Sequence, residues 1–567
     1  MRRNATQITS PIVGCHARAA VCLASVLFLS VPGSVRGEGL RVEHRIITRQ
    51  AQADNGTVHV YVRNLLDREL RVLNMFLSTG EDARASLLKA IDPSPSANQG
   101  EGPCLWWRSF PNPIPPGGFA DLQAKLSVSP THKLSVRFTG PAGVELNETL
   151  AQVNDTLGIC SVGFPPALDA AFVYVENRLR EPVRLRQVFL NGEDVTRRAK
   201  FLTDAFPPSG KGVVIVPQPR PFRPGEVLFL KVVGDPPALG ATLVRAFSRF
   251  PITWMDGKVP AELQDGDGME RVRPGSVPNE GLAGIEHIMR CPAHAHGTRP
   301  QAAARFIELH EQLMRTEPAV PGMILVCRWE KEKNYFVFCE LGDFTRVMPW
   351  AGSLSYVEQP LNHRAQWLMS LAVTAAAPRP VHAVVPIRFE DSYQWNRSCT
   401  PEEIRALVYL PLSRGAKGLS YGRFEPTLSA EASAELSRVT REVSELRPYL
   451  AFAEPMDLGR TTNPAVEAAI LLAGDRAIVL LLINHGFKDF DNDRILRCEA
   501  QRDVRCQITL PGRLSVNSLQ DIADRSRKVS WRQEGNTLKL DVDCLGVVRP
   551  YLVTLRPADR AGAPNSP

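Results

Sequence analysis

The chain has 567 residues, a formal net charge of +7, 44% hydrophobic residues, 46 prolines and 40 glycines. That apolar content supports folded cores and excludes wholesale disorder, and the length predicts several domains rather than one. Arginines and lysines are interspersed with acids and form no long basic tract, which argues against nucleic acid as a partner.

Residues 1–37 read as a signal peptide. Arg2, Arg3 and Arg18 precede an apolar run from Ala19 to Val31, which Pro32 and Gly33 break. The run has 13 residues, too few to span a bilayer, although a signal anchor is the rival reading. Its removal takes four arginines and no acid, so +7 becomes +3. The expected mature chain is exported, to a periplasm, the cell surface or the medium, and carries no transmembrane segment. Eleven cysteines occur and two, Cys15 and Cys22, lie in the leader. The remaining odd number meets an oxidising compartment, where Cys498 and Cys506 are the easiest local pair. Cys291 beside His294 and His296 is too weak a pattern for zinc, so neither a metal nor another cofactor is expected.

Residues 38–157 and 158–249 read as two copies of a β-sandwich. Tyr61-Val62-Arg63-Asn64 recurs as Tyr174-Val175-Glu176-Asn177, 113 residues later. Each block has a hydrophobic strand, a short polar break and a second strand. A proline-glycine turn and a further strand come next, PNPIPPGGFADLQAKL in the first copy and PRPFRPGEVLFLKVV in the second. Val58 to Val62 and Leu134 to Phe138 alternate with period two. Asn191-Gly192 is a strong hairpin signal.

Residues 250–460 change character. Apolar strands at Gly322–Val326, Tyr335–Phe338, Thr345–Met348, Val381–Ile387 and Gly418–Tyr421 alternate with helical spacing at Arg299–Thr316, His363–Ala377, Thr400–Arg414 and Ser429–Leu446. Thr400-Pro401-Glu402-Glu403 is a helix start with an N-cap, a proline at the first helical position and an acid at the third. Such alternation argues for parallel α/β architecture, but a complete eightfold barrel uses about 250 residues. The expectation is a reduced or irregular (β/α) TIM-like barrel, with 254–282 as loop that holds the remains of early units. Residues 461–558 return to β pattern and read as a third sandwich, and 559–567 as a tail. The fold class is thus multidomain α/β plus all-β, a barrel flanked by β-sandwich domains.

Thr400 to Glu425, with Phe338 to Asp343, Val347-Met348-Pro349-Trp350 and Val381 to Pro386, resembles the glycoside-hydrolase-like (β/α) barrel family of large exported bacterial proteins. The likeness covers about 285–447 and implies sugar chemistry at the strand C-termini. The family's acid commonly ends a barrel strand before the helix that matches Arg299–Thr316. Here Met289 to His296 offers no carboxylate, so the resemblance implies a degenerate site.

Glycoside hydrolysis needs two carboxylates facing the sugar. Glu425, Glu390 and Asp391 are the candidates, Glu425 the best placed, while Glu340 more readily braces a turn. A solvated loop acid is the bland alternative for each. Trp350, Tyr356, Tyr393, Trp395 and Tyr421 can stack on sugar rings, and His294 and His296 can donate to hydroxyls, although packing alone explains such rings equally well. Trp106-Trp107 forms another possible patch. Three functions are compatible with this pattern: a carbohydrate-binding protein for polysaccharide or cell-surface glycan with weak or absent hydrolysis; an active glycoside hydrolase with a relocated carboxylate pair; or a non-enzymatic surface or assembly protein.

Overall fold

Tyr61-Val62-Arg63-Asn64 and Tyr174-Val175-Glu176-Asn177 end equivalent strands, Asn55–Asn64 and Ala170–Asn177. The computed structural model describes residues 40–49, 55–79, 104–127, 132–139, 144–150, 156–203, 205–254, 287–289, 310–326, 342–347, 361–386, 388–390, 396–421, 428–488, 497–512 and 514–557. One sheet of the first sandwich runs Leu40–Arg49, Asn55–Asn64, Phe119–Ser127, Cys104–Phe110; the other runs Arg71–Thr79, His132–Thr139, Glu145–Leu150. The second sandwich repeats this order. Its sheets run Leu157–Gly163, Ala170–Asn177, Lys211–Pro217, Lys200–Phe201, and Arg184–Leu190, Val227–Asp235, Ala238–Arg245. Glu193–Asp194 extends the latter through the hairpin at Asn191 and Gly192, both at positive φ as that turn requires.

The asparagines explain why the motif recurs. Asn64 Nδ2 donates to the carbonyls of Arg68 and Ile114, and its Oδ1 accepts from Leu66 N. Asn177 does the same with Glu181, Phe206 and Leu179. Both are fully buried, so one amide side chain satisfies backbone groups that the polar break strands inside. The structure also re-pairs the turns. Asn64 N and Asn177 N donate to Gly118 O and Gly210 O, the last residues of turns Pro115–Gly118 and Pro207–Gly210, which Gly118 N and Gly210 N close by donating to Pro115 O and Pro207 O. These turns, Pro-Pro-Gly-Gly and Pro-Pro-Ser-Gly, are the true counterparts, with positive φ at Gly117 and Ser209. The PRPFRPGEVLFLKVV segment instead enters the strand equivalent to His132–Thr139.

Six parallel strands form a half-barrel. In chain order they are Ile252–Trp254, His287–Met289, Gly322–Val326, Phe344–Val347, Val381–Val385 and Leu419–Tyr421, and the first lies beside the last. The sheet is open between Ile252–Trp254 and His287–Met289, so a full eightfold barrel is absent from the described residues. Of the span 254–282 read as loop, Trp254 ends the strand Ile252–Trp254 and the rest lies outside the described residues. On one face of Val381–Val385, Val381, Ala383 and Val385 join the core shared with helices Leu361–Ala376 and Pro401–Ser413. The second helix carries the expected capping box: Thr400 Oγ1 accepts from Glu403 N and Glu403 Oε2 accepts from Thr400 N. Helix Ala430–Leu450 and helical residues 310–316 complete the described helices. None is long and apolar enough to cross a membrane.

The C-terminal sandwich begins at Glu454, not at 461, because Glu454–Met456 and Gly459–Thr461 join its two sheets. Its core is continuous with that of the half-barrel and with the outer face of Ala170–Asn177. Cys498 and Cys506 carry free thiols, as do Cys160, Cys399 and Cys544, so the local bridge does not form. Tyr335–Phe338 lies outside the described residues.

Candidate functional site

In a parallel sheet, the segments that leave the strand C-termini all emerge at one end. Here the strands end at Trp254, Met289, Val326, Val347, Val385 and Tyr421. His294 and His296 come after Met289, Trp350 after Val347, Asp391, Tyr393 and Trp395 after Val385, and Glu425 after Tyr421. These seven, with Glu340 and Tyr356, lie outside the described residues. Glu390 ends the short strand Arg388–Glu390, which pairs antiparallel with Asn396–Ser398. That hairpin leaves the sheet next to Val385.

Tyr421 is placed, and its placement corrects its assignment as a sugar platform. Strand alternation sends Ser420 to one face and Leu419 and Tyr421 to the other, under helix Ala430–Leu450. The Tyr421 ring is fully buried, and its hydroxyl accepts from Thr440 Oγ1 at 3.4 Å. Burial pushes its pKa well above the ordinary phenol value, with Thr440 opposing. The ring packs core and offers no stacking face.

The opposite face of the half-barrel is unexpectedly polar. Arg346, one residue before its strand ends, is fully buried and donates through Nη2 to Thr253 Oγ1 at 3.4 Å. Thr253 Oγ1 and Ser420 Oγ are 2.8 Å apart. His382 is the register partner of Arg346, and its ring lies 5.0 Å from that of Phe344. Gly418 makes room for it: a Cβ there would come within 2.9 Å of the imidazole. His382 is 1% exposed, and neither ring nitrogen has a hydrogen-bond partner. Burial, reinforced by the Arg346 charge, holds it neutral, far below its ordinary range. Sequence reasoning overlooked this group. The available signals were a histidine inside Val381-His382-Ala383-Val384-Val385 and an arginine inside Phe344–Val347.

Other buried charges are structural. At the N-terminal end of the sheet, Asp343 Oδ2 accepts from Arg245 Nη1 (2.6 Å), His310 Nε2 (3.0 Å) and Gly322 N (2.8 Å). Burial alone would raise its pKa, but Arg245, His310 and the Gly322 N–H outweigh it and hold the carboxyl far below the usual range. This clamp ties the second sandwich to the half-barrel. On the outer helices, Arg405 binds Glu435 (2.6 Å), takes Glu442 with two nitrogens and donates to Val548 O.

No protein-family model matches the chain, and no curated protein matches it either. Among solved structures, a cycloisomaltooligosaccharide glucanotransferase from Paenibacillus sp. matches at 7% identity and TM-score 0.34, over 70% of this chain and 99% of that one. A bacterial fucosidase matches at 10% identity and TM-score 0.25, over 45% and 52%. An FMN-binding β-glucuronidase from Facaelibacterium prausnitzii matches at 9% and 0.22, over 90% and 92%. Superpositions this loose assign neither family nor activity to the chain.

Proposed function

We propose that the protein is exported and binds carbohydrate at the C-terminal rim of a reduced (β/α) barrel, with hydrolysis weak or absent. One observation carries the reading: six parallel strands lie in one sheet with the first beside the last. In the sequence, Glu425, Glu390, Asp391, Trp350, Tyr393, Trp395, His294 and His296 each follow the C-terminus of one of its strands. In this reading the aromatics stack on sugar faces, the histidines donate to hydroxyls, and any residual hydrolysis uses Glu425 with Glu390 or Asp391. Polysaccharide or a cell-surface glycan is the partner.

Affinity electrophoresis of the mature chain through a panel of neutral and acidic polysaccharides tests it. Retardation by at least one glycan is expected, and Trp395→Ala and Trp350→Ala should each weaken it about tenfold, the equivalent of about 1.4 kcal/mol. Unretarded migration throughout the panel would sink the proposal. If turnover is detected, Glu425→Gln should abolish it; surviving turnover removes Glu425 from the role.

A further inference from the structure

A strand at the rim of a sheet leaves half of its backbone donors and acceptors open to another strand, and folded chains blunt such edges with charge, proline, shortness or a bulge. The C-terminal sandwich has four edge strands among the described residues: Glu454–Met456 and Leu514–Asp521 bound one sheet, Gly459–Thr461 and Ser530–Glu534 the other. Three are blunted in that way. Glu454–Met456 is three residues long and contains Pro455, Gly459–Thr461 is equally short with Arg460 exposed, and Ser530–Glu534 exposes Arg532 and Glu534. Leu514–Asp521 has eight residues, no proline and no charge before its last, and that one, Asp521, is buried against Arg549 at 2.6 Å. Arg513, the residue before it, lies outside the described residues. One bulge, at Asn517, interrupts the strand. A side chain lies along its free side instead. Val516 N donates to Gln533 Oε1 at 2.8 Å, and Gln533 Nε2 donates to Leu514 O at 3.4 Å. The amide thus offers the edge one acceptor and one donor, the pair that a residue of a neighbouring strand would offer.

We propose that Gln533 guards this edge against a second copy of the chain, by standing where the Leu514–Asp521 strand of that copy would pair. Antiparallel pairing of a strand with its own copy is isologous about a two-fold axis, so one open edge is enough to make a dimer. From Leu514 to Gln520 the strand would meet its copy with no like charges to repel it. Gln533 Nε2 also donates to Gly535 O at 2.8 Å, which tethers the amide at its post. An incoming strand therefore has to displace it before the edge can pair. The guard acts whatever the rim of the half-barrel binds.

Sedimentation velocity of the full chain and hydrogen exchange at the Val516 amide test this together. Wild type should sediment as a single chain, with Val516 exchanging at least about tenfold more slowly than a free peptide amide. Gln533→Ala should speed that exchange about tenfold in dilute solution and bring a concentration-dependent rise to the mass of a dimer. Adding Asn517→Lys, which puts a charge on the open edge, should return Gln533→Ala to a single chain. Exchange at the free-peptide rate in wild type overturns the proposal even where the variants fail to fold. So does a Gln533→Ala chain that stays single at every concentration, a wild type that pairs as readily as the variant, or an association that Asn517→Lys leaves intact.

Discussion

Lys417 shows how one residue can report on a junction. It is buried where the second sandwich, the half-barrel and the C-terminal sandwich meet, with Nζ 3.9 Å from Glu454, whose other oxygen takes Lys211 Nζ at 3.1 Å. Burial lowers its pKa from 10.5 to about 8; Glu454 opposes this and Lys211 adds to it. A lowered lysine means that between about pH 8 and 10.5 the unfolded chain holds a proton the native chain has released. Stability therefore rises with pH across that window, by up to about 1.4 kcal/mol per unit. Lys211 moves the other way: burial would lower its pKa, but Glu454, Cys160 and Glu176 together outweigh burial and raise it, so its contribution is lost only as pH climbs past its ordinary value. Urea midpoints at pH 7.5 and 9.5 should show a rise for wild type that Lys417→Met flattens. Asp343 makes the opposite test. Asp343→Asn leaves the Arg245 guanidinium buried without its counter-charge, a loss of about 3–5 kcal/mol at neutral pH. Since the native carboxyl is depressed, its contribution in wild type is full above about pH 4 and fades as pH falls below that. Denaturant unfolding of both proteins at pH 7 and pH 3 should show their gap narrowing in acid.

The repeated element shows how far residue patterns carry and where they stop. Tyr-Val-x-Asn was visible because its strand alternates and its asparagine recurs at fixed spacing. The partner turn was not, because Pro115–Gly118 and Pro207–Gly210 stand at different distances from their asparagines and share only two prolines and a final glycine. Strands such as Val381–Val385, apolar at every position but His382, were legible. Ile252–Trp254 and His287–Met289 were not, since three residues establish no period. Of the candidate site, the strand-tip residues were legible by position. The Arg346–His382 layer was not, because its members are single polar residues on four strands and only register unites them. The Asn177 element carries its own prediction. Asn177→Ala removes bonds to Glu181 O, Phe206 O and Leu179 N in a fully buried place, leaving backbone groups that cost about 1–3 kcal/mol each. Limited proteolysis should then cut the second sandwich at concentrations that leave wild type intact.

At the scale of the whole molecule the duplication becomes an assembly rule, since the motif tyrosine docks each sandwich onto the next β-structure. Tyr61 packs its ring 5.3 Å from Phe229 and donates to Ala241 O at 3.3 Å, beside Phe119 stacked on the same Phe229. Tyr174 occupies the same position one copy later. Its hydroxyl lies 2.8 Å from Phe452 O and 2.6 Å from Leu472 O and accepts from Gly474 N. The two joints differ in depth. The first closes over a small apolar patch of Tyr61, Phe119, Phe229 and Leu243, whereas the second is part of the core that runs through the half-barrel. Removing the hydroxyl alone separates docking from packing, because Phe keeps the ring. Tyr61→Phe forfeits the long, part-buried bond to Ala241 O, whose loss should cost under about 1 kcal/mol. Tyr174→Phe takes the hydroxyl proton from the Phe452 and Leu472 carbonyls it faces and leaves Gly474 N without its acceptor in the dry centre, and should cost about 2–4 kcal/mol. Calorimetric unfolding of the full chain should accordingly show the main transition falling by several degrees in Tyr174→Phe and holding in Tyr61→Phe. Equal shifts in the two variants would mean that the second sandwich is tethered to its neighbour rather than built into its core.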